Sequence, residues 1–271
     1  MSIRLLALDL DGTILDRRLR ISPRVACAVR LAQDAGVRVT LASGRFFRSM
    51  RLFAKDLGIS EPLICYQGAL IRDPDTEEVL LHRGVPLHLA QQFIGFVRAH
   101  GWDLCVYLDD RPYVDKTTPN LSWYADYSPI KEELTPVGDL KGFLSREPTK
   151  IVVVLEAEQA ALAGDLLGER FEGHLRVVRS FSRFVEATSL AASKGQALSF
   201  LAHKLCVGQT ETMAIGDHDN DADMVAWAGL GVAMGGAGEA VKGAADHIGL
   251  SIEEDGAAEA IERFILDPRR G

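Results

Sequence analysis

Ile3 to Leu8 is an apolar run broken by a single Arg and closed by Asp9 and Gly12. Near-continuous apolar stretches of this length suit a strand buried on both faces of a parallel sheet, with a loop after it. Pro23 to Ala35 then places its apolar residues at helical spacing, with Ser22 positioned to cap it, Pro23 in its first turn and Gly36 as its stop. Val37 to Ala42 predicts a second strand, Phe46 to Leu57 a second helix and Pro62 to Tyr66 a third strand. This β-α-β-α-β order implies a parallel sheet with right-handed crossovers.

After Gln67-Gly68 the rhythm changes. Ala69 to Arg72 and Glu78 to His82 flank the turn-rich Asp73-Pro74-Asp75-Thr76, which predicts a hairpin. From about Gly84 to Glu186 the order is helix (Leu87 to His100), strand (Leu104 to Leu108), an aromatic loop carrying Tyr113, Trp123, Tyr124 and Tyr127, strand (Lys150 to Leu155), helix (Gln159 to Phe171) and strand (Leu175 to Arg179). That is α+β order, and it predicts an inserted domain over 84–186. From Lys194 the α/β pattern resumes: a helix to Leu205, a strand from Thr212 to Ile215, a helix from Asn220 to Ala228, a strand from Gly231 to Met234, a short helix near Gly238 to Gly243, and a last helix from Ala257 to Leu266. The first domain, 1–83 and 187–271, is thus expected to be split around the second. No repeat of fixed period and no low-complexity tract interrupts it.

Composition alters this picture little: 47% apolar and 25% charged residues describe an ordinary globular protein. The net charge of −8, with no clustered run of Lys and Arg, argues against nucleic acid as a partner, yet leaves room for a small phosphorylated one held by a few local cations. Cys27, Cys65, Cys105 and Cys206 are scattered, without metal-ligand spacing, and read as reduced, mostly buried packing residues. The start of the chain has no signal-peptide pattern, and no apolar run is long enough to span a membrane. A cytoplasmic protein without membrane attachment is therefore expected.

Asp9 and Asp11 fall at the C-terminal end of the first predicted strand, where open α/β sheets bind their ligands. Two buried carboxylates this close raise each other's pKa unless a hard cation neutralises them. Taken alone, the pair fits a capped turn as well as a catalytic site. Asp217 to Asp223 adds four acids in seven residues after the Thr212 to Ile215 strand. An EF-hand is excluded there, because Ala222 and Ala228 stand where its Gly and Glu are needed. Ser43-Gly44-Arg45 follows the second strand and opens a helix, a setting in which a hydroxyl and backbone N–H groups can hold phosphate. Lys194-Gly195 also opens a helix; a cation at that positive end is unfavourable unless an anion lies nearby. Neither a P-loop nor a dinucleotide-binding glycine pattern is present.

Asp-Leu-Asp-Gly-Thr at 9–13, Ala-Ser-Gly-Arg at 42–45, Lys194-Gly195 and Gly-Asp-x-x-Asn-Asp at 216–221 occur in this order, and with them the chain resembles the haloacid dehalogenase (HAD) superfamily of phosphatases. The large insertion makes it similar to the Cof-type subgroup, which carries a C2 cap of type B. The resemblance implies a Rossmann-like, doubly wound α/β core and an α+β cap. It also implies that Asp9 is the nucleophile that becomes an aspartyl phosphate, and that Asp11 is the general acid and base. Magnesium (Mg2+) would be held by Asp9, the Asp11 backbone carbonyl, Asp217 and Asp221. Ser43 and Lys194 would bind phosphoryl oxygens, with Gly44 in the same loop, and Asn220 would orient Lys194 or the phosphate. Arg45 would reach substrate or form a salt bridge. One departure stands out: many relatives have Asn-Gly-Ala after the third strand, where this chain has Gln67-Gly68-Ala69. The resemblance further implies that the cap closes over the site, with candidate contacts from Asp109 to Tyr127. The expected activity is hydrolysis of small phosphorylated metabolites, sugar phosphates foremost. The competing readings are a phosphomutase of the same fold and a non-catalytic binding module.

Overall fold

The computed structural model describes residues 2–127 and 133–267. In chain order the elements begin with β1 (Leu5–Leu8), α1 (Pro23–Asp34), β2 (Arg38–Leu41), α2 (Phe47–Asp56), β3 (Leu63–Cys65), β4 (Leu70–Arg72) and β5 (Val79–His82). There follow α3 (Leu87–Ala99), β6 (Asp103–Leu108), β7 (Arg111–Val114), α4 (Pro119–Tyr127), β8 (Thr135–Pro136), α5 (Leu140–Phe143), β9 (Lys150–Val154), α6 (Ala157–Arg170), β10 (Leu175–Phe181) and β11 (Phe184–Ser189). The chain ends with α7 (Lys194–Lys204), β12 (Thr212–Gly216), α8 (Ala222–Trp227), β13 (Leu230–Ala233), α9 (Glu239–Ala244), β14 (His247–Ile248) and α10 (Gly256–Ile261). One compact unit takes in the chain up to Leu81 and again from Ser193; a second runs from His82 to Ala192.

The first unit is built on a five-stranded sheet ordered β14-β13-β12-β1-β2, and every pairing in it is parallel. All four residues of β1 are fully buried, which accounts for its unbroken apolar sequence. Leu5 and Ala7 share one cluster with Ala197, Leu198 and Leu201 of α7 and Met224 of α8. The expected N-terminal cap of α1 is present: the Ser22 hydroxyl accepts from the Val25 N–H at 3.1 Å, with Pro23 in the first turn. From β1 the chain moves on to β2 on one side, whereas from its neighbour β12 it moves on to β13 on the other, which makes the ends of β1 and β12 a switch point.

The third strand departs from expectation. Instead of extending the parallel sheet, β3 meets it through one parallel bridge, Ala42 with Ile64, and pairs antiparallel with β4 in a separate three-stranded sheet. The cause is the turn that follows: Tyr66, Gln67 and Gly68 all have positive φ, at 51°, 59° and 88°, and reverse the chain after only three strand residues.

The second unit carries a six-stranded sheet ordered β10-β11-β9-β6-β7-β8. Phe93, Ile94 and Val97 of α3 and Ala160, Ala163 and Leu167 of α6 bury the face formed by Val106, Ile151, Val153 and Val185. Two elements differ from the sequence reading. The aromatic stretch expected to be a loop contains β7 and α4; the Thr118 hydroxyl accepts from the Leu121 N–H at 3.3 Å and Pro119 opens the helix. β11, which was not anticipated, runs on past Glu186 and pairs with both β10 and β9. Cys65 and Cys105 are buried, but Cys27 and Cys206 are exposed, against the expectation of mostly buried thiols. No helix among the described residues is long and apolar enough to cross a membrane.

The turn after β3 is tightly constrained by its neighbours. A Cβ built on Gly68 would lie 2.2 Å from the Ser193 carbonyl oxygen, whereas one on Gly36, at a similar φ of +85°, meets nothing within 4 Å. Gly68→Ala is therefore expected to lower unfolding free energy by about 3 kcal/mol and Gly36→Ala by about 1 kcal/mol, read from urea midpoints. Equal losses would show that the close approach to Ser193 carries no energy.

Candidate active site

Parallel pairing without offset sets the site. Leu8 lies beside Ile215 of β12 on one side and Leu41 of β2 on the other, so the residues that follow all three strands emerge at one edge. The Asp9 N–H extends the ladder to the Ile215 carbonyl at 3.0 Å, and the Ser43 N–H bonds the Ile64 carbonyl at 2.9 Å. α7 brings Lys194 from behind the sheet; Ser193 caps this helix by accepting from the Gln196 N–H at 3.1 Å.

Lys194 is only 1% exposed, and its ammonium donates to Asp9 Oδ1 at 2.7 Å and to Asp221 Oδ1 at 2.5 Å. The cation at a helix start thus has its anions, both belonging to the protein. Asp221 is fully buried, and its other oxygen accepts from the Asp217 and His218 N–H groups at 3.1 and 3.0 Å. Asp217 accepts from the Thr13 hydroxyl at 3.0 Å. Its carboxylate occupies the space over Gly12, where a Cβ would lie 2.2 Å from Asp217 Oδ2. Only a residue without a side chain lets the two loops come this close.

Asp9, Asp217 and Asp221 each offer a carboxylate oxygen within 4.8 Å of the others. Burial, then Asp221, pushes the Asp9 carboxyl well above its ordinary value, despite Lys194 drawing it down. Asp217 is raised by the same two causes. Burial acts to lower Lys194, but Asp221 and Asp9 outweigh it and raise its pKa. With all three acids ionised, one ammonium would leave an excess of two negative charges, which is why Asp9 and Asp217 resist ionising, and all the converging atoms are hard oxygens. That donor set fits a divalent cation such as magnesium, and a site of this charge is costly without one.

The remaining sequence-derived residues lie around this cluster. Both Asp11 oxygens are held by Arg45, from Nε at 2.8 Å and from the terminal nitrogen at 2.6 Å. Arg45 is therefore the salt-bridge partner of Asp11, and it stacks over Phe53 at 5.5 Å. The Asp11 carboxylate is not part of the three-acid cluster, which leaves its backbone carbonyl as the group that could join a metal. Ser43 is buried, and its hydroxyl accepts from the Arg45 N–H at 3.2 Å. Gly44 sits between them, beneath the Gln67 amide. Of the two roles expected for Asn220, orienting Lys194 is taken by Asp221, one residue on, which holds the ammonium; the Asn220 amide donates to Gln67 Oε1 at 2.8 Å, and its expected role toward the phosphate is a proposal. The contacts of Thr13 and Gln67 were not assigned from sequence, although each lies inside or next to a quoted motif.

In the second unit, Tyr124 is buried, with its hydroxyl 2.7 Å from that of Tyr107 and its ring edge-on to Phe184, so it serves packing. Trp123 is partly exposed beneath the Arg183 guanidinium, 4.1 Å from the ring centre. Asp109 forms an ion pair with Arg146.

Residues 6–261 match the family of haloacid dehalogenase-like hydrolases. A 5-amino-6-(5-phospho-D-ribitylamino)uracil phosphatase of Bacillus subtilis (strain 168) is 32% identical over 271 residues, covering 98% of this chain and 97% of its own. A second phosphatase of that organism is 28% identical over 288 residues, covering 97% and 100%. The crystal structure of a haloacid dehalogenase-like hydrolase from Bacteroides thetaiotaomicron matches with a TM-score of 0.86 at 29% identity, over 97% of this chain and 100% of that one. The chain belongs to the haloacid dehalogenase-like hydrolases and is an enzyme of their phosphatase class.

Proposed function

We propose that the protein is a magnesium-dependent phosphatase that hydrolyses small phosphorylated metabolites, sugar phosphates foremost, through a phosphorylated Asp9. The observation that carries this reading is the buried set of Asp9, Lys194 and Asp221, with Asp217 beside it at the switch point of the sheet. Magnesium bound by Asp9, Asp217, Asp221 and the Asp11 carbonyl would neutralise the clustered acids and the incoming phosphate, so that two anions can meet.

The Asp9 oxygen not held by Lys194 attacks phosphorus while the bond to the leaving oxygen breaks, and Asp11 hands that oxygen a proton. Asp11 then takes a proton from water, whose oxygen displaces Asp9 from phosphorus. Inorganic phosphate leaves and the carboxylate is restored. Arg45 occupies both Asp11 oxygens, so this proton traffic requires one of the two contacts to open. Lys194, the Ser43 hydroxyl and the Gly44 N–H bind phosphoryl oxygens as charge redistributes onto them. The sugar-phosphate class is supported by the Bacillus subtilis relative, whose named substrate carries its phosphate on a ribityl chain.

With magnesium and an aryl phosphate, wild type is expected to release inorganic phosphate. Chelation should stop the reaction, and Asp9→Asn should lose roughly 10,000-fold or more in kcat. Full turnover in that variant would overturn the nucleophile assignment. Asp217→Asn tests the electrostatics separately. Removing one of three mutually repelling acids should raise the Tm of the metal-free protein by about 2–4 °C, corresponding to roughly 1 kcal/mol. The same change should abolish the further rise that magnesium gives to wild type. A lower metal-free Tm, or an undiminished magnesium response, would contradict the proposed role of Asp217.

A further inference from the structure

The turn after β3 does more than reverse the chain. Tyr66 and Gln67 hold left-handed backbone at φ 51° and 59°, a conformation costing non-glycine residues of order 1 kcal/mol each, which persists only where the surroundings fix it. Here the fixing groups belong to the phosphate loop: the Tyr66 N–H bonds the Arg45 carbonyl and the Gln67 N–H the Ser43 carbonyl, both at 3.0 Å. The turn is thereby attached to both ends of Ser43-Gly44-Arg45, and the Gln67 side chain is delivered to the middle.

The Gln67 amide is anchored at one end and unengaged at the other. Its Oε1 accepts from Asn220 Nδ2 at 2.8 Å. The Asn220 carbonyl oxygen is buried without a hydrogen-bond partner, so the Gln67 bond is what sets that amide's orientation. With Oε1 committed, Gln67 Nε2 is turned to Gly44, 2.4 Å from where a Cβ there would be. Any side chain at 44 would therefore displace the amide. Among the described residues no protein acceptor meets the Gln67 Nε2 hydrogens or the Gly44 N–H, and Gln67 is only partly buried. Two neutral donors without a protein acceptor are thus brought to Gly44, one from the loop that also carries Ser43 and one from the turn after β3. Donors placed in this way, with no internal acceptor, suit an oxyanion.

We infer that Gln67 is a substrate-contacting residue that donates a hydrogen bond from Nε2 to a phosphoryl oxygen, beside Ser43 and the Gly44 N–H, with Asn220 as the residue that positions its amide. The inference rests on the phosphatase reading and adds a phosphate ligand from the third strand's turn. It also gives the extra methylene of Gln67 a purpose: an Asn at this position is shorter by about 1.5 Å and would have to give up either Asn220 or the loop.

The test compares wild type with Gln67→Met, Gln67→Glu and Gln67→Asn in the presence of magnesium. Inorganic phosphate and orthovanadate serve as probes by calorimetry, and aryl and sugar phosphates as substrates. At pH 7.5, Gln67→Met should weaken phosphate and vanadate binding about 10-fold and Gln67→Glu about 100-fold, with magnesium affinity unchanged. The loss in kcat/KM should be the same factor for every leaving group. The Gln67→Glu deficit relative to wild type should shrink as pH falls toward the carboxyl range, because the protonated side chain is again a neutral donor. A merely structural role would give a deficit without that pH dependence. Phosphate binding within twofold of wild type in both Gln67→Met and Gln67→Glu, a loss that varies with leaving group, or a pH-independent Glu deficit would each overturn the inference. If Gln67→Glu does not fold, Gln67→Met and Gln67→Asn decide through the first two criteria. Wild type that neither binds phosphate nor hydrolyses any substrate refutes the phosphatase reading itself, before any variant is considered. Active wild type with indifferent Gln67 variants refutes only the present inference.

Discussion

Lys194, buried between Asp9 and Asp221, is the interaction on which the rest of the structure turns. An ammonium and two carboxylates removed from water are costly to desolvate, and leaving one of them unpaired would cost several kcal/mol more. The protein meets this cost with regular structure. The in-register ladder of β1 and β12 brings Asp9 and Asp217 to the same edge, while the Asp217 and His218 N–H groups fill the free oxygen of Asp221. α7, capped at Ser193, delivers the ammonium from the other side. Each contact fixes backbone as well as charge, so the pairs can neither separate nor collapse onto one another.

This arrangement has a surplus of negative charge built into it. Burial and Asp221 raise the Asp9 carboxyl, which in a metal-free site makes it hold a proton more firmly and would make it poorer in the proposed nucleophilic role. Lys194 offsets only part of this, because it is shared with Asp221. A divalent cation at the three acids, as proposed above, would remove the rest and at the same time create the positive field that a phosphate needs. Stability and chemistry would then be opposed at these few residues, with metal binding as the point where the two requirements meet. Arg45 plays the corresponding part for Asp11. It holds both oxygens of a carboxylate that is otherwise half exposed, and so fixes the direction in which it points.

The parts of the fold that could be read from sequence were those in which local pattern and tertiary role coincide. β1 is apolar at every position because both of its faces are covered, and α1 has its serine cap and proline where expected. The carboxylates were legible because so many acids at two strand ends demand a common explanation. What stayed hidden depends on partners distant in the chain. β3 reads as one more parallel strand, and nothing within Pro62 to Tyr66 reveals that positive φ at Tyr66, Gln67 and Gly68 turns it away. β11 has an alternating but short pattern, and its identity comes from pairing on both sides with β10 and β9. The helix at Pro119 is hard to read from sequence although Thr118-Pro119 is a start signal, because the aromatic residues that follow lack a clear helical period. Of the two partners expected for Asn220, the lysine is held by Asp221: adjacent residues in one turn point different ways, and spacing cannot say which reaches the lysine.

Phosphate binding and recognition of the rest of a substrate place different demands on the fold. Phosphate presents one charge pattern whatever it is attached to, so the groups that bind it can be specified by a few residues on rigid strand ends. Recognition of the rest of a substrate has no such constant. In the second unit, aromatic and charged residues serve packing and surface at once: Tyr124 is spent on Tyr107 and Phe184, while Trp123 keeps part of its ring exposed under Arg183. A residue type alone therefore does not distinguish a recognition surface from a core. Gln67 is different because its backbone is tied to the phosphate loop, its carbonyl oxygen to Asn220, and its remaining donors to nothing in the described chain. Where one end of a polar side chain is fixed by the fold and the other is left with neither partner nor full solvent, the unused valence is the part of the sequence that answers to a ligand.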